Sequence, residues 1–214
     1  MDEAKKVIAT QKPIPSRNED SHDIIGTYQL VSNRMEMKLT PYSRENLLEI
    51  LQYRHEILLS ARQDKKPGKF KDRNNRARNT EFVDMELVRG TLMHSFDLYR
   101  ALTHPFAKAA YIMFVVSEVH PFLDGNGRLA RVMMNAELTA ENQTKIIIPT
   151  VYREDYLGAL RRLTRGKDPK VYLGMLERAQ AFSDTLSAMD MDTMEMDLKK
   201  SNAFLESHEG VLKF

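Results

Sequence analysis

A predominantly helical fold is predicted by three observations on this 214-residue chain. Apolar residues recur at spacings of three and four, as in Leu47, Leu48, Leu51, Leu58 and Leu59 and again in Leu129, Val132, Met133 and Ala136, the mark of helices with one buried face. Helix-start residues stand ahead of such stretches, with Thr40 before Pro41 and Asp84 before a further apolar run. Extended structure is expected over Asn79 to Val83, where Thr, Phe and Val fall together.

The elements follow in order. Residues 1–39 are read as an N-terminal arm, partly disordered or accessory, because Met1 to about Ile25 is polar, carries Pro13 and Pro15 and has no sustained apolar period. A helix capped by Thr40 opens the core, assigned to residues 40–188. Residues Ala61 to Arg78 hold eight basic and two acidic side chains with one Pro and one Gly, and are read as a loop. Helices are then expected from Asp84 to about Arg100 and from near Thr103 to His120, the second largely apolar and central, with Ala107, Ala110, Tyr111, Phe114 and Val115 on its face. A further helix begins at Gly125 or Asn126 and runs to about Glu141. Ile146 to Pro149 is a short apolar link, and Tyr152 to Arg165 and Asp168 to Ala188 read as two more helices. Residues 189–214 are expected to pack back on the core.

Composition narrows the function classes. Hydrophobic residues at 42% and charged residues at 29% describe an ordinary globular chain, long enough to bury a substantial core. A formal charge of +2 gives no general affinity for nucleic acid, and the basic loop lacks interleaved aromatics apart from Phe70, so no nucleic-acid partner is expected. The absence of cysteine excludes disulfides and thiolate metal sites. The other histidines, His22, His55, His94, His104 and His208, show no metal-ligand spacing, so no zinc site is proposed. The N-terminus lacks the apolar segment of a signal peptide and no stretch is long and apolar enough to span a bilayer, so a soluble, cytoplasmic protein with no membrane partner is expected.

The chemistry concentrates in HPFLDGNGRLAR, residues 120–131. A helix N-terminus exposes unpaired N–H groups and the positive end of the macrodipole, which together attract anions. Gly125 and Gly127 let a phosphate approach the backbone, and Asn126 between them is expected to turn left-handed and donate an amide hydrogen bond. Arg128 and Arg131, three apart, bring two guanidinium forks to the same side. Asp124 beside such a cradle needs a cation to reconcile it with phosphate, and magnesium takes a few carboxylates with phosphate and water oxygens. His120, across the loop, has an ordinary pKa of about 6.5 and can accept a proton from an attacking hydroxyl.

These residues match HxFx(D/E)GNGRxxR at every defined position, and the chain thereby resembles the Fic (Fido) domain family. Weaker similarity extends through PGKF at Pro67 to Phe70, TEFV at Thr80 to Val83, and IIIPTVYREDY at Ile146 to Tyr156, covering roughly residues 40–185. The resemblance implies an all-α fold, a Fic-type helical bundle with a short β-hairpin flap beside the active site. It implies a protein adenylyltransferase that moves AMP from ATP to a Ser, Thr or Tyr hydroxyl of a target protein, with Mg²⁺ and release of pyrophosphate. By motif position His120 would be the general base and Asp124 the magnesium ligand; Gly125, Asn126 and Gly127 would form the anion hole, with Arg128 and Arg131 on the outer phosphates. Thr80, Glu81, Phe82 and Val83 would be the target-binding flap, and Tyr156 would contact the base.

One departure stands out. Family members are often held inactive by a helix carrying (S/T)xxxE(G/N), and no full match is present: Glu45 has Pro41 four residues before it, Glu209 has Leu205, and Glu36, four after Ser32, is followed by Met37. A separate inhibitory protein, a diverged inhibitory segment or a chain that is part of a longer protein would each account for this. Two other functions compete with adenylyl transfer: the same fold using another donor, for UMP, phosphocholine or phosphoryl transfer, and a catalytically idle regulatory module, which the complete motif disfavours.

Overall fold

The computed structural model describes residues 2–77, 80–186 and 190–214. Arg78 and Asn79, expected in the basic loop and the extended stretch, and Ala188 and Met189, at the expected domain boundary, lie outside the described residues. The chain divides into two compact units, Met1–Glu141 and Asn142–Phe214.

The first unit begins with α1 (Asp2–Thr10) and α2 (Asn18–Ser32). Residues 1–39, read from the sequence as a partly disordered or accessory arm, therefore hold two helices. Val7, Leu30 and Met37 are each only 1% exposed, so a segment of polar average composition still places enough apolar side chains on one face to hold helices by tertiary packing. Next comes α3 (Arg44–Leu58), which starts later than Thr40 because Ser43, in extended backbone, accepts from Asn46 N–H and is the cap that forms. Its buried face holds Leu47, Leu48, Leu51 and Leu58, as the spacing predicts.

Two short strands follow, β1 (Arg76–Ala77) and β2 (Thr80–Glu81), paired antiparallel with Arg76 opposite Glu81 and Ala77 opposite Thr80. Asp84 caps a short 3₁₀ turn by accepting from Glu86 N–H, and that turn leads into α4 (Val88–Ala101). The centre of the unit is the pair α5 (Pro105–Val119) and α6 (Asn126–Ala140), joined by six residues. Ile112, Met113 and Val116 on α5 and Leu129, Met133 and Met134 on α6 are almost wholly buried, so hydrophobic burial fixes the two helices that carry the motif.

One charged pair is sealed in this core. Arg54 on α3 meets Glu36 at 2.8 Å and donates to the carbonyls of Glu36 and Leu39, which ties the segment after α2 to α3. Glu36, weighed above as an inhibitory acid, is thus committed to a structural partner.

The second unit contains α7 (Arg153–Gly166), α8 (Lys170–Thr185) and α9 (Met191–Lys200). The C-terminal segment packs within this unit: Ala203 accepts from Thr150 N–H, and Leu198 and Leu212 are buried. Glu209 closes a local turn by accepting from Glu206 N–H. The fold is all-α with a single two-stranded hairpin among the described residues, and no helix of these residues is long and apolar enough to cross a membrane.

Candidate active site

The motif loop spans the gap between the end of α5 and the start of α6. His120 terminates α5 in the left-handed region (φ 50°) and its Nδ1 lies 3.2 Å from the Ser117 carbonyl. A carbonyl can only accept, so Nδ1 carries the hydrogen and Nε2 keeps the lone pair, the state a general base requires. Burial pushes the His120 pKa below its ordinary value, with Lys71 acting the same way and the Ser117 bond and Asp124 opposing. The Phe82 ring stacks flat on the imidazole, centroids 3.7 Å apart, so the hairpin lies beside His120.

Phe122 is fully buried and anchors the loop. Asn126 completes the anchor: its Oδ1 accepts from Phe122 N–H (2.9 Å) and its Nδ2 donates to the Phe122 carbonyl (2.8 Å). The residue is 1% exposed and begins α6, so it neither turns left-handed nor offers its amide to an anion; the left-handed residue is Gly125, with φ 75°. A side chain at Gly125 would also press on Leu59 at 3.1 Å. Gly125 N–H is taken by Asp124 Oδ1 at 2.7 Å. The first intrahelical bond runs from Leu129 N–H to the Gly125 carbonyl, which leaves the N–H groups of Asn126, Gly127 and Arg128 as the donors of the helix end. The Arg131 guanidinium lies alongside, its Nη1 3.7 Å from where a Cβ on Gly127 would stand.

Beneath the loop sits His55, which sequence reasoning passed over as lacking metal spacing. It is fully buried on α3, accepts from Gly68 N–H at Nδ1 (3.0 Å) and so donates from Nε2 to the Asp124 carbonyl (3.1 Å), with its ring stacked on Phe122 at 3.8 Å. Burial pushes its pKa down to about 4. The unfolded chain takes up a proton near pH 6.5 and the folded one only near 4, so this group withdraws stability as pH falls through that window. Urea unfolding midpoints should decline between about pH 6.5 and 4, and a flat profile there would contradict a neutral His55.

Residues 45–138 match the Fic/DOC family. That stretch of the chain carries a Fic/DOC domain. The chain is 25% identical over 174 residues to "Protein adenylyltransferase Fic" of Drosophila persimilis, a match covering 77% of this chain and 33% of that protein. The chain thus spans about one third of the length of the curated relatives it matches. In fold it is similar to Fic-1 (residues 134–508) of Caenorhabditis elegans, with a TM-score of 0.66, 16% identity and coverage of 93% of this chain and 57% of that one. A Fic-domain-containing signaling protein of Bacteroides thetaiotaomicron gives a TM-score of 0.63 at 16% identity, over 95% of this chain and 81% of that one.

Within this Fic/DOC domain Arg128 is already engaged. Its Nη1 lies 2.5 Å from Oδ2 of Asp23 on α2, and Arg62 Nη1 approaches the same oxygen at 3.6 Å. No pattern applied to the sequence pointed to Asp23. A signal was present nonetheless: Ser21 and Gly26 have the spacing of (S/T)xxxE(G/N), with Ile25 in place of the acid. Gly26 is required there, since a Cβ would come within 2.5 Å of the Ile57 carbonyl.

Of the remaining expected site residues, Thr80 and Glu81 form β2, Val83 follows it outside the strand, and Tyr156 is buried on α7 of the second unit.

Proposed function

We propose that this chain is a protein adenylyltransferase, transferring AMP from ATP to a Ser, Thr or Tyr hydroxyl of a target protein. The observation that carries the reading is an imidazole whose Nδ1 is engaged by the Ser117 carbonyl, leaving Nε2 its lone pair, on a loop that the Asn126 clasp at Phe122 ties to the start of α6. The hydroxyl oxygen attacks the α-phosphorus, the bond to the bridging β-phosphate oxygen breaks, pyrophosphate leaves, and the hydroxyl proton passes to Nε2. The N–H groups of Asn126, Gly127 and Arg128 would receive the phosphate oxygens, with the helix dipole adding positive potential. Arg131 and, once released from Asp23, Arg128 would hold the outer phosphates.

Asp124 fits a magnesium ion, because one oxygen is engaged by Gly125 N–H while the other stays free to ligate. Among the described residues no group of three or more acidic, His or Cys side chains could hold a metal by itself, which suits an ion completed by phosphate and water oxygens. Bound there, the ion would neutralise phosphate charge. The hairpin would align the target segment by strand pairing, with Phe82 covering one face of the base.

The test is incubation with Mg²⁺ and ATP labelled at the α-phosphate, alone and in lysate. Label on protein supports the reading. Label from γ-labelled ATP or from UTP instead replaces it with another transfer on the same fold, and no label from any donor favours a binding module.

A further inference from the structure

Lys71 is 4% exposed, although it lies in the most basic loop of the chain. Its backbone N–H donates to the Pro121 carbonyl at 2.8 Å, and its ammonium reaches the Val119 carbonyl at 3.5 Å. The two contacts bracket His120, one residue on either side. The ammonium also donates to Asn75 Oδ1 at 2.8 Å. Asn75 in turn donates from Nδ2 to the Phe122 carbonyl at 2.9 Å, and its own carbonyl accepts from Phe82 N–H at 3.4 Å. Phe82 is the ring stacked on His120. Base, motif loop and hairpin therefore meet through one buried lysine.

We propose that Lys71 is a positioning residue for His120, binding the backbone on both sides of the base to the root of the flap and holding the imidazole with Nε2 turned toward the incoming hydroxyl.

A neutral side-chain donor would serve the Val119 carbonyl and the Asn75 amide oxygen with less desolvation, since a buried ammonium is expensive to maintain. The charge has a use beside a base that must stay neutral, because a nearby cation disfavours the imidazolium. The charged groups acting on His120 are Lys71 from this loop and Asp124 from the motif loop; α5 contributes the Ser117 carbonyl and the hairpin the uncharged Phe82 ring.

The experiment uses the whole chain without nucleotide and follows each histidine by NMR across pH, in the wild type and in Lys71→Met and Lys71→Arg. In the wild type His120 should titrate below the ordinary histidine value of about 6.5 and show the Nδ1–H tautomer. Lys71→Met should raise the His120 pKa and broaden or switch its tautomer signal, and Lys71→Arg should restore both toward wild type. A folded Lys71→Met with an unchanged His120 overturns the proposal. So does a wild-type His120 that titrates at or above about 6.5 or carries the Nε2–H tautomer, which decides the matter even where the methionine variant does not fold.

The kinetic arm rests on the adenylyltransferase reading. There, kcat for Lys71→Met should fall on the order of 10–100-fold with KM for ATP held, as for a displaced base, and a fall confined to KM overturns the assignment. Absence of transfer in the wild type would sink the reading of function and leave the NMR result standing.

Discussion

His120→Ala is expected to lower the rate of label transfer from α-labelled ATP by about 10²–10⁴-fold, the range that general base catalysis supplies. In the proposed reaction the imidazole takes the hydroxyl proton and makes no bond to the nucleotide, so the loss should fall on kcat with KM for ATP little changed. The pH profile gives a second reading of the same residue. His120 acts as a base only when neutral, and burial holds its pKa below the usual histidine value. The rate in the wild type should therefore be flat through neutrality and fall only when pH drops through that lowered pKa. Initial rates of labelling in a buffer series measure this, and an acid limb centred above about 6.5 would contradict the burial that lowers it.

The contrast between His120 and His55 shows what a sequence can and cannot disclose. His120 was legible because its neighbours constrain it: Pro121, Asp124 and two glycines within a few residues leave few arrangements for the loop. His55 stands in an amphipathic helix where local pattern says only that the position is buried. Its partners, Gly68 and the Asp124 carbonyl, come from distant loops. Lys71 was hidden for the same reason, as one lysine among eight basic residues whose burial depends on two carbonyls flanking His120. Asn126 illustrates the opposite failure. A polar residue between glycines suits a turn, yet its side chain closes a bidentate clasp on Phe122 and its backbone is already helical. Helices with a strong apolar stripe, α3 and α5 to α8, were recovered nearly whole. The helices α1 and α2 were read as an arm because Pro13 and Pro15 interrupt that stretch and no apolar period runs through it, whereas the burial of Val7 and Leu30 is a product of tertiary packing.

Asp23→Ala is expected to lower KM for ATP by about 10–100-fold. Arg128 holds Asp23 through Nη1, so its full fork reaches a phosphate only after that ion pair opens. A charge-assisted hydrogen bond of this kind is worth about 1.5–3 kcal/mol, and each 1.4 kcal/mol is roughly tenfold in affinity. Both side chains are less than one quarter exposed, so solvent screening does not erase the interaction. The carboxylate is also poorly satisfied, since Oδ1 of Asp23 is buried without a hydrogen-bond partner. An acid kept in such a place beside the N-terminus of α6 is better suited to hold Arg128 in reserve than to add stability. Gly26→Ala should act in the same direction by a separate route, because its Cβ would collide with the Ile57 and Leu58 carbonyls at 2.5 and 2.7 Å and force α2 away from α3. That variant should unfold at lower urea while binding nucleotide more tightly. Binding of ATP by calorimetry, alongside KM, separates the two effects. Unchanged affinity in Asp23→Ala would mean that Arg128 does not contact the nucleotide, and an ordinary surface ion pair would then be the whole account of α2.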